Sequence, residues 1–127
     1  MPNGLAIFGD EKSTRKKVMS LVTDSTPVEA PKPTENSSLL ALYQLVASPD
    51  DYVRMLGEFK AGGVGYGDFK KRLFESIWES FASMRKRRAE LEREPSYVEF
   101  VLRKGADKAR RVADGVLSRV REAVGLR

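Results

Sequence analysis

Large apolar side chains recur along residues 66–92 at spacings of three, four and one, and this pattern constrains the fold more than any other feature. Because an α-helix places such positions along one side, the pattern predicts an amphipathic helix. At about 1.5 Å per residue this helix would be roughly 40 Å long. We expect it to be the central helix of an all-α bundle. Its predicted inward side chains are Phe69, Leu73, Phe74, Ile77, Trp78, Phe81 and Met84.

Capping residues and prolines divide the rest of the chain into shorter segments. Asp10 is a predicted N-cap, and Ser48 followed by Pro49 is typical of a helix start. Gly105, after a short helix to about residue 104, permits a break or kink in the last helical segment. Five to six helices around the central one predict an all-α fold. We expect a single domain over 1–127, with an extended lead-in (1–9), a first helix (10–23), a proline-rich strap (24–35) and a helical bundle (36–127).

The chain of 127 residues contains no histidine and no cysteine. Disulfides and thiolate metal sites are therefore excluded, and the commonest general base and transition-metal ligand are absent. We predict no catalytic residue, no metal site and no cofactor. No apolar run approaches the roughly 20 residues of a membrane-spanning helix, and no secretory signal is visible. The expected location is cytoplasmic.

Positive charge is concentrated in the second half of the chain. Residues 1–65 contain 7 Lys/Arg and 8 Asp/Glu, whereas residues 66–127 contain 16 Lys/Arg and 10 Asp/Glu. Such asymmetry is typical of a protein with an anionic partner, most often a nucleic acid. Long surface helices also carry Lys and Arg for solubility alone, so charge leaves both interpretations open.

Three segments, in this order, resemble the C-terminal region of tryptophanyl-tRNA synthetases. They are IFGDEKSTRKKVMSLVTDSTPVEAPKP, GYGDFKKRLFESIWESFASMRKRRAEL and YVEFVLRKGADKARRVADGVLSRVREAVGL, which together extend over residues 7–126. The HIGH and KMSKS signatures of the family's nucleotide-binding fold do not occur. The resemblance therefore implies the helical domain that binds the tRNA anticodon stem-loop, without the catalytic fold. It also implies part of a class I tryptophan–tRNA ligase that is inactive by itself.

The function implied by this resemblance is recognition of tRNA through phosphate contacts and through stacking on unpaired bases. Charge clustering, rather than a matched set of family contacts, supplies the candidate side chains. Each of the two main clusters has a second interpretation. The run at residues 85–88 could be a solvated helix end that favours the helix dipole, and the run at residues 104–111 could pair internally with Asp107, Asp114 and Glu92. The RNA-binding candidates are Lys70, Lys71, Arg85, Arg87, Arg88, Arg103, Lys104, Lys108, Arg110 and Arg111.

Two alternatives to RNA binding involve protein partners. Leu5, Ile7 and Phe8 form an apolar N-terminal segment that could bind a catalytic-domain partner or a second copy of the chain. The domain would then act as a protein-interaction or self-association module. A third possibility is one half of a split synthetase, which would be active only in a complex.

Overall fold

The computed structural model describes residues 4–126 and places six helices and no strand in that range. Residues 1–3, which belong to the predicted lead-in, lie outside the described residues, as does Arg127. The all-α prediction is confirmed. The helices are α1 (Glu11–Met19), α2 (Ser38–Val46), α3 (Pro49–Ala61), α4 (Tyr66–Ser80), α5 (Ala82–Arg93) and α6 (Pro95–Ala123).

Backbone contacts divide the chain into two compact units, residues 1–85 and residues 86–127. The first unit contains α1 to α4, and the second contains most of α5 and all of α6. The sequence interpretation treated residues 36–127 as one bundle and did not anticipate a division near Arg85. That the chain forms a single domain stays a prediction.

Helix α4 is the helix against which the first unit packs, because it contacts both α1 and α2, while α2 also contacts α3. Phe59 of α3 and Phe69 of α4 are fully buried, and their ring centroids lie 4.3 Å apart. The apolar positions predicted for the start of the central helix are therefore core positions. The other buried apolar residues are Val18, Leu39, Leu40, Tyr43, Met55, Leu73, Phe74 and Ile77.

Side-chain caps begin the helices where the sequence predicted them. The Asp10 carboxylate accepts hydrogen bonds from the Ser13 hydroxyl at 2.6 Å and from the Ser13 backbone N–H at 2.8 Å. These bonds stabilise the charged form and lower the pKa of Asp10. Ser48 accepts from the Asp51 backbone N–H at 3.2 Å and donates to the Asp51 carboxylate at 2.7 Å. Helix α1 ends at Met19, earlier than the predicted residue 23.

The proline-rich strap is held on the first unit by its own lysine. Lys32 is buried, and its ammonium group donates to the backbone carbonyls of Pro27, Val28 and Ala30 at 3.2–3.4 Å. Its backbone N–H also donates to the Phe59 carbonyl at 2.7 Å. A buried ammonium needs such acceptors, since leaving it without partners costs several kcal/mol. Lys32 thus fastens the strap to the end of α3.

A second tie links the beginning of the strap to the start of α4. The Tyr66 hydroxyl donates to the Asp24 carboxylate at 3.0 Å. Burial, together with this hydrogen bond and the nearby negative charge, raises the pKa of Tyr66 to about 12. The pKa of Asp24 is lowered, first by its hydrogen bonds from Thr26 and then by the bond from Tyr66.

The prediction of one continuous helix over residues 66–92 is wrong, because the helix is interrupted at Phe81. Phe81 packs partly buried against the core, and the Ser80 hydroxyl donates to the Val46 carbonyl at 3.2 Å. These tertiary contacts hold the end of α4, and apolar spacing alone could not reveal them. Met84, a predicted inward residue, lies beyond the interruption and is 54% exposed.

The break that Gly105 permits does not occur, since α6 continues through it and is the longest helix described. Glycine permits a break but costs only about 1 kcal/mol inside a helix, so the helix formers on either side prevail. None of the residues of α6 is buried. One side of α6 carries an apolar stripe, which consists of Val98, Val101, Leu102, Gly105, Ala109, Val112, Ala113, Val116, Val120, Ala123 and Val124.

Candidate nucleic-acid interface

The two units differ sharply in charge. Residues 1–85 contain eleven Lys/Arg and eleven Asp/Glu, so the first unit is neutral in formal charge. Residues 86–127 contain twelve Lys/Arg and seven Asp/Glu, which gives the second unit the entire net charge of +5. The sequence interpretation located the excess after residue 66, and the division of the chain narrows it to the second unit. An anionic partner is thus attracted mainly to the second unit.

Two of the predicted RNA-binding residues take part in the packing of the first unit. Lys70 is partly buried, and its ammonium group donates to the Met19 carbonyl at the end of α1, at 3.4 Å. The Arg85 guanidinium lies 3.6 Å from the centroid of the Trp78 ring and donates to the Trp78 carbonyl. A cation over an indole face is attracted by the ring quadrupole. Both side chains therefore already have structural partners.

Five more candidates form ion pairs with acids of their own helix, and one of these pairs, Arg110–Asp107, joins a cation to an acid that the second interpretation of its run named. The shortest joins Arg88 to Glu92 at 2.8 Å, and the longest joins Arg103 to Glu99 at 3.8 Å. Exposed pairs of this kind stabilise a protein by only about 0–1 kcal/mol, so a phosphate can replace the carboxylate at little cost. The remaining pairs are Lys71–Asp68, Arg87–Glu90 and Arg110–Asp107.

The last three candidates share one side of α6. Lys104, Lys108 and Arg111 are separated by four and three residues, which places them on consecutive turns of the same face. Together with Val112 they line one shallow groove, and no acidic side chain lines it. Arg111 donates only to a backbone carbonyl, that of Asp107, at 3.4 Å. We call Lys104, Lys108 and Arg111 the cationic face.

Arg119 extends this face but was not among the sequence candidates. It lies eleven residues after Lys108, a spacing of three helical turns, and donates to the Gly115 carbonyl at 3.4 Å. The signal that could have identified it is helical spacing. The candidates were chosen from runs of adjacent charges instead, and Arg119 stands between Ser118 and Val120, outside such a run.

The predicted N-terminal partner segment forms a turn rather than an extended strand. The Gly9 backbone N–H donates to the Ala6 carbonyl at 3.3 Å. Leu5 packs partly buried against the core of the first unit, whereas Ile7 and Phe8 are 44% and 46% exposed. The structure thus separates Leu5 from the two exposed side chains of the segment, and their role in binding a partner stays a prediction.

Over residues 4–126, no set of three or more acidic side chains converges in a way that could ligate a metal ion. In the same range, no helix combines the length and the apolar character needed to cross a bilayer.

Comparison with known proteins shows which proteins this chain resembles. No protein-family model matches the chain. The tryptophan–tRNA ligase of Rhodopirellula baltica is 44% identical over 125 residues, which are 98% of this chain and 39% of the ligase. The tryptophan–tRNA ligase of Fusobacterium nucleatum is 40% identical over 124 residues, again 98% of this chain and 38% of the ligase.

A solved structure shows that the fold is shared as well. The tryptophanyl-tRNA synthetase of Campylobacter jejuni, crystallised with ADP and tryptophan, superposes with a TM-score of 0.89 at 34% identity. The match covers 98% of this chain and 39% of the synthetase. The chain spans about two fifths of the length of the curated relatives it matches. It is related to tryptophan–tRNA ligases, and what it shares with them is their C-terminal helical domain.

Proposed function

We propose that this chain binds tRNA at the anticodon stem-loop, through the second unit. One observation carries the proposal: in a chain related to tryptophan–tRNA ligases, all of the net positive charge lies in residues 86–127. Phosphate contacts by Lys and Arg provide most of the affinity for a folded RNA and make binding depend on salt. Within the second unit, the cationic face is the strongest candidate for these phosphate contacts, because no acidic side chain lines its groove.

The paired cations have a secondary role in this proposal. Arg87, Arg88, Arg103 and Arg110 can exchange a carboxylate for a phosphate, because exposed ion pairs are weak and screened by salt. Lys70 and Arg85 are expected to contribute least, since their charges are directed into the first unit. Lys71, which pairs with Asp68 in the first unit, ranks with these two, so the proposal orders all ten candidates instead of treating them alike.

The test compares two triple variants that lose the same charge at different places. The first neutralises the cationic face (Lys104→Gln, Lys108→Gln and Arg111→Gln). The control variant, Lys12→Gln, Lys16→Gln and Lys60→Gln, removes three exposed lysines from the first unit. Affinity for a tryptophan tRNA transcript is measured by fluorescence anisotropy between about 50 and 200 mM salt, the range over which such contacts weaken strongly.

We expect the first variant to bind more weakly and to lower the slope of log affinity against log salt by about 2–3, since each lost phosphate contact removes roughly 0.7–0.9. The control variant should keep most of the slope. Equal losses in both variants would show that only net charge matters and would contradict the role of the cationic face. Weaker binding to an isolated anticodon hairpin than to an acceptor-stem hairpin of equal length would contradict the anticodon assignment.

A protein partner at the N-terminal turn is a second candidate function, favoured by the exposure of Ile7 and Phe8 beside the packed Leu5. The partner proposed is the catalytic part of a tryptophan–tRNA ligase, which the chain itself does not cover. Phe8→Glu should weaken capture of a separately produced catalytic part, measured by isothermal calorimetry. Unchanged affinity in that variant would remove the turn from the interface.

A further inference from the structure

The end of α5 and the start of α6 enclose a groove that shares no residue with the cationic face. Its volume is about 410 Å³, within the range of about 300–1,000 Å³ that is usual for sites of small ligands. All of its lining residues belong to the second unit. We call it the α5–α6 groove, and it is lined by Arg87, Glu90, Leu91, Glu94 and Tyr97.

Short-range hydrogen bonds form the joint beside this groove. Helix α5 ends at Arg93 and α6 begins at Pro95, so one non-helical residue, Glu94, connects them. The Glu94 backbone N–H donates to the Leu91 carbonyl at 3.2 Å, and the Tyr97 backbone N–H donates to the Glu94 carbonyl at 3.1 Å. The joint thus fixes Tyr97 close to the last turn of α5.

Tyr97 presents an aromatic ring to the groove. Its side chain is 44% exposed, and the carbon of the Arg87 guanidinium group lies 5.9 Å from the ring centroid. Leu91, which is partly buried, adds an apolar wall. An exposed aromatic ring beside an arginine is the combination on which proteins stack the unpaired bases of RNA loops.

Two carboxylates give the same groove hydrogen-bond acceptors. Glu90 accepts from Arg87 at 3.1 Å, yet its side chain is still 47% exposed, and a carboxylate has about four acceptor positions. Glu94 is the N-cap residue of α6, but its side chain makes no capping hydrogen bond. Ionised carboxylates accept and do not donate, so they select a ligand with N–H donors, such as the amino group of cytosine.

We propose that the α5–α6 groove binds one unpaired base of the anticodon loop and selects a base that carries an amino group. The inference rests on the proposed function and adds selectivity to it. The base stacks on Tyr97, and its amino group donates to Glu90 or Glu94. Arg87 has five N–H donors, so it can hold Glu90 and also donate to the phosphate of the same nucleotide.

The charges divide the work between the groove and the cationic face. The two acids of the groove repel phosphate, so the edge of a base is favoured over the RNA backbone there. Phosphate contacts carry no sequence information directly. The cationic face therefore supplies affinity, and the α5–α6 groove supplies discrimination between bases.

The experiment measures base discrimination by the full chain, using fluorescence anisotropy with RNA hairpins that carry the anticodon loop. Each loop base with an amino group is replaced in turn by a counterpart without one: uracil for cytosine, purine for adenine or inosine for guanine. We expect one position at which the replacement weakens binding at least about five-fold, the low end for one specific base contact. The phosphates are the same in all hairpins, so their contribution cancels in the ratio of affinities.

Acid-to-amide variants test the two carboxylates. Glu90→Gln combined with Glu94→Gln should abolish the discrimination, because an amide both donates and accepts and so serves either base. The control, Asp114→Asn combined with Glu122→Gln, removes two exposed acids elsewhere on α6 and should keep it. Tyr97→Ala should weaken binding of the unmodified hairpin at least about five-fold through lost stacking, whereas Tyr97→Phe keeps the ring and should bind normally.

The outcomes separate this proposal from the proposed function. Equal affinity for all hairpins overturns the proposal alone, since binding through phosphates remains. Discrimination that survives the loss of both groove acids overturns it, as does discrimination that the control variant also loses. Unchanged affinity in Tyr97→Ala places the base elsewhere and likewise overturns it. Failure to bind any hairpin overturns both proposals. Circular dichroism establishes that every variant keeps its helix content.

Discussion

Replacing Gly62 by alanine should destabilise the first unit far more than the same change at the neighbouring Gly63. Gly62 has φ 76° and ψ −172°, a conformation that residues with a Cβ rarely adopt, at a cost of about 1–3 kcal/mol. An added Cβ would lie 2.4 Å from the Glu29 carbonyl oxygen and 2.9 Å from the Ala30 carbonyl carbon. Both contacts are with backbone, so the strap must move.

Movement of the strap would weaken or break two backbone hydrogen bonds. The Gly63 N–H donates to the Val28 carbonyl at 2.8 Å, and the Lys32 N–H donates to the Phe59 carbonyl at 2.7 Å. Each contributes about 1 kcal/mol, so strain and lost bonds together predict about 3–5 kcal/mol for Gly62→Ala. At about 0.05–0.15 kcal/mol per residue, a unit of this size is stable by roughly 4–13 kcal/mol. The substitution therefore removes a large share of the stability.

Gly63→Ala is the matched control, because Gly63 also has a positive φ, 86°, but an added Cβ would meet nothing within 4 Å. It should cost only about 1–2 kcal/mol, the strain alone. Urea unfolding is followed by the fluorescence of Trp78, which is the single tryptophan and lies in the first unit. If the two variants differ by less than about 0.5 kcal/mol, the strap does not pack tightly against Gly62 and the reasoning fails.

Three further predictions concern single side chains. Asp10→Ala should lower the free energy of unfolding, measured with urea at pH 7, because it removes the N-cap of α1. Since the pKa of Asp10 is lowered, this difference should shrink as the pH falls below 3.8. The pKa of Tyr66 in the folded state is raised to about 12, so the stability that Tyr66 contributes is complete below pH 10 and is lost as the pH rises toward 12. Tyr66→Phe should abolish this part of the loss of stability at alkaline pH. It should also remove the phenolate step near pH 12 from an ultraviolet titration. Arg85→Gln should shift the emission of Trp78 but change tRNA affinity little, and a loss as large as that of the cationic-face variant would contradict its structural assignment.

Local chemistry determined the starts of α1 and α3, which is why the sequence predicted them. The caps at Asp10 and Ser48 depend on side chains within three residues, so the pattern contains all the required information. The interruption at Phe81 depends on Val46, which is distant in sequence, and no periodicity shows it. The continuity of α6 through Gly105 follows from a competition between small propensities, which the presence of one glycine does not decide.

Charge clustering identified the part of the chain that carries the net positive charge, but it did not show which contacts its individual members make. The run at residues 85–88 is dense in sequence, yet a helix turns successive residues to different sides, so Arg85 contacts Trp78 while Arg88 pairs with Glu92. The less dense set Lys104, Lys108 and Arg111 shares one face because its spacing matches the helical turn. For helical binding surfaces, spacing is therefore the better criterion than local density.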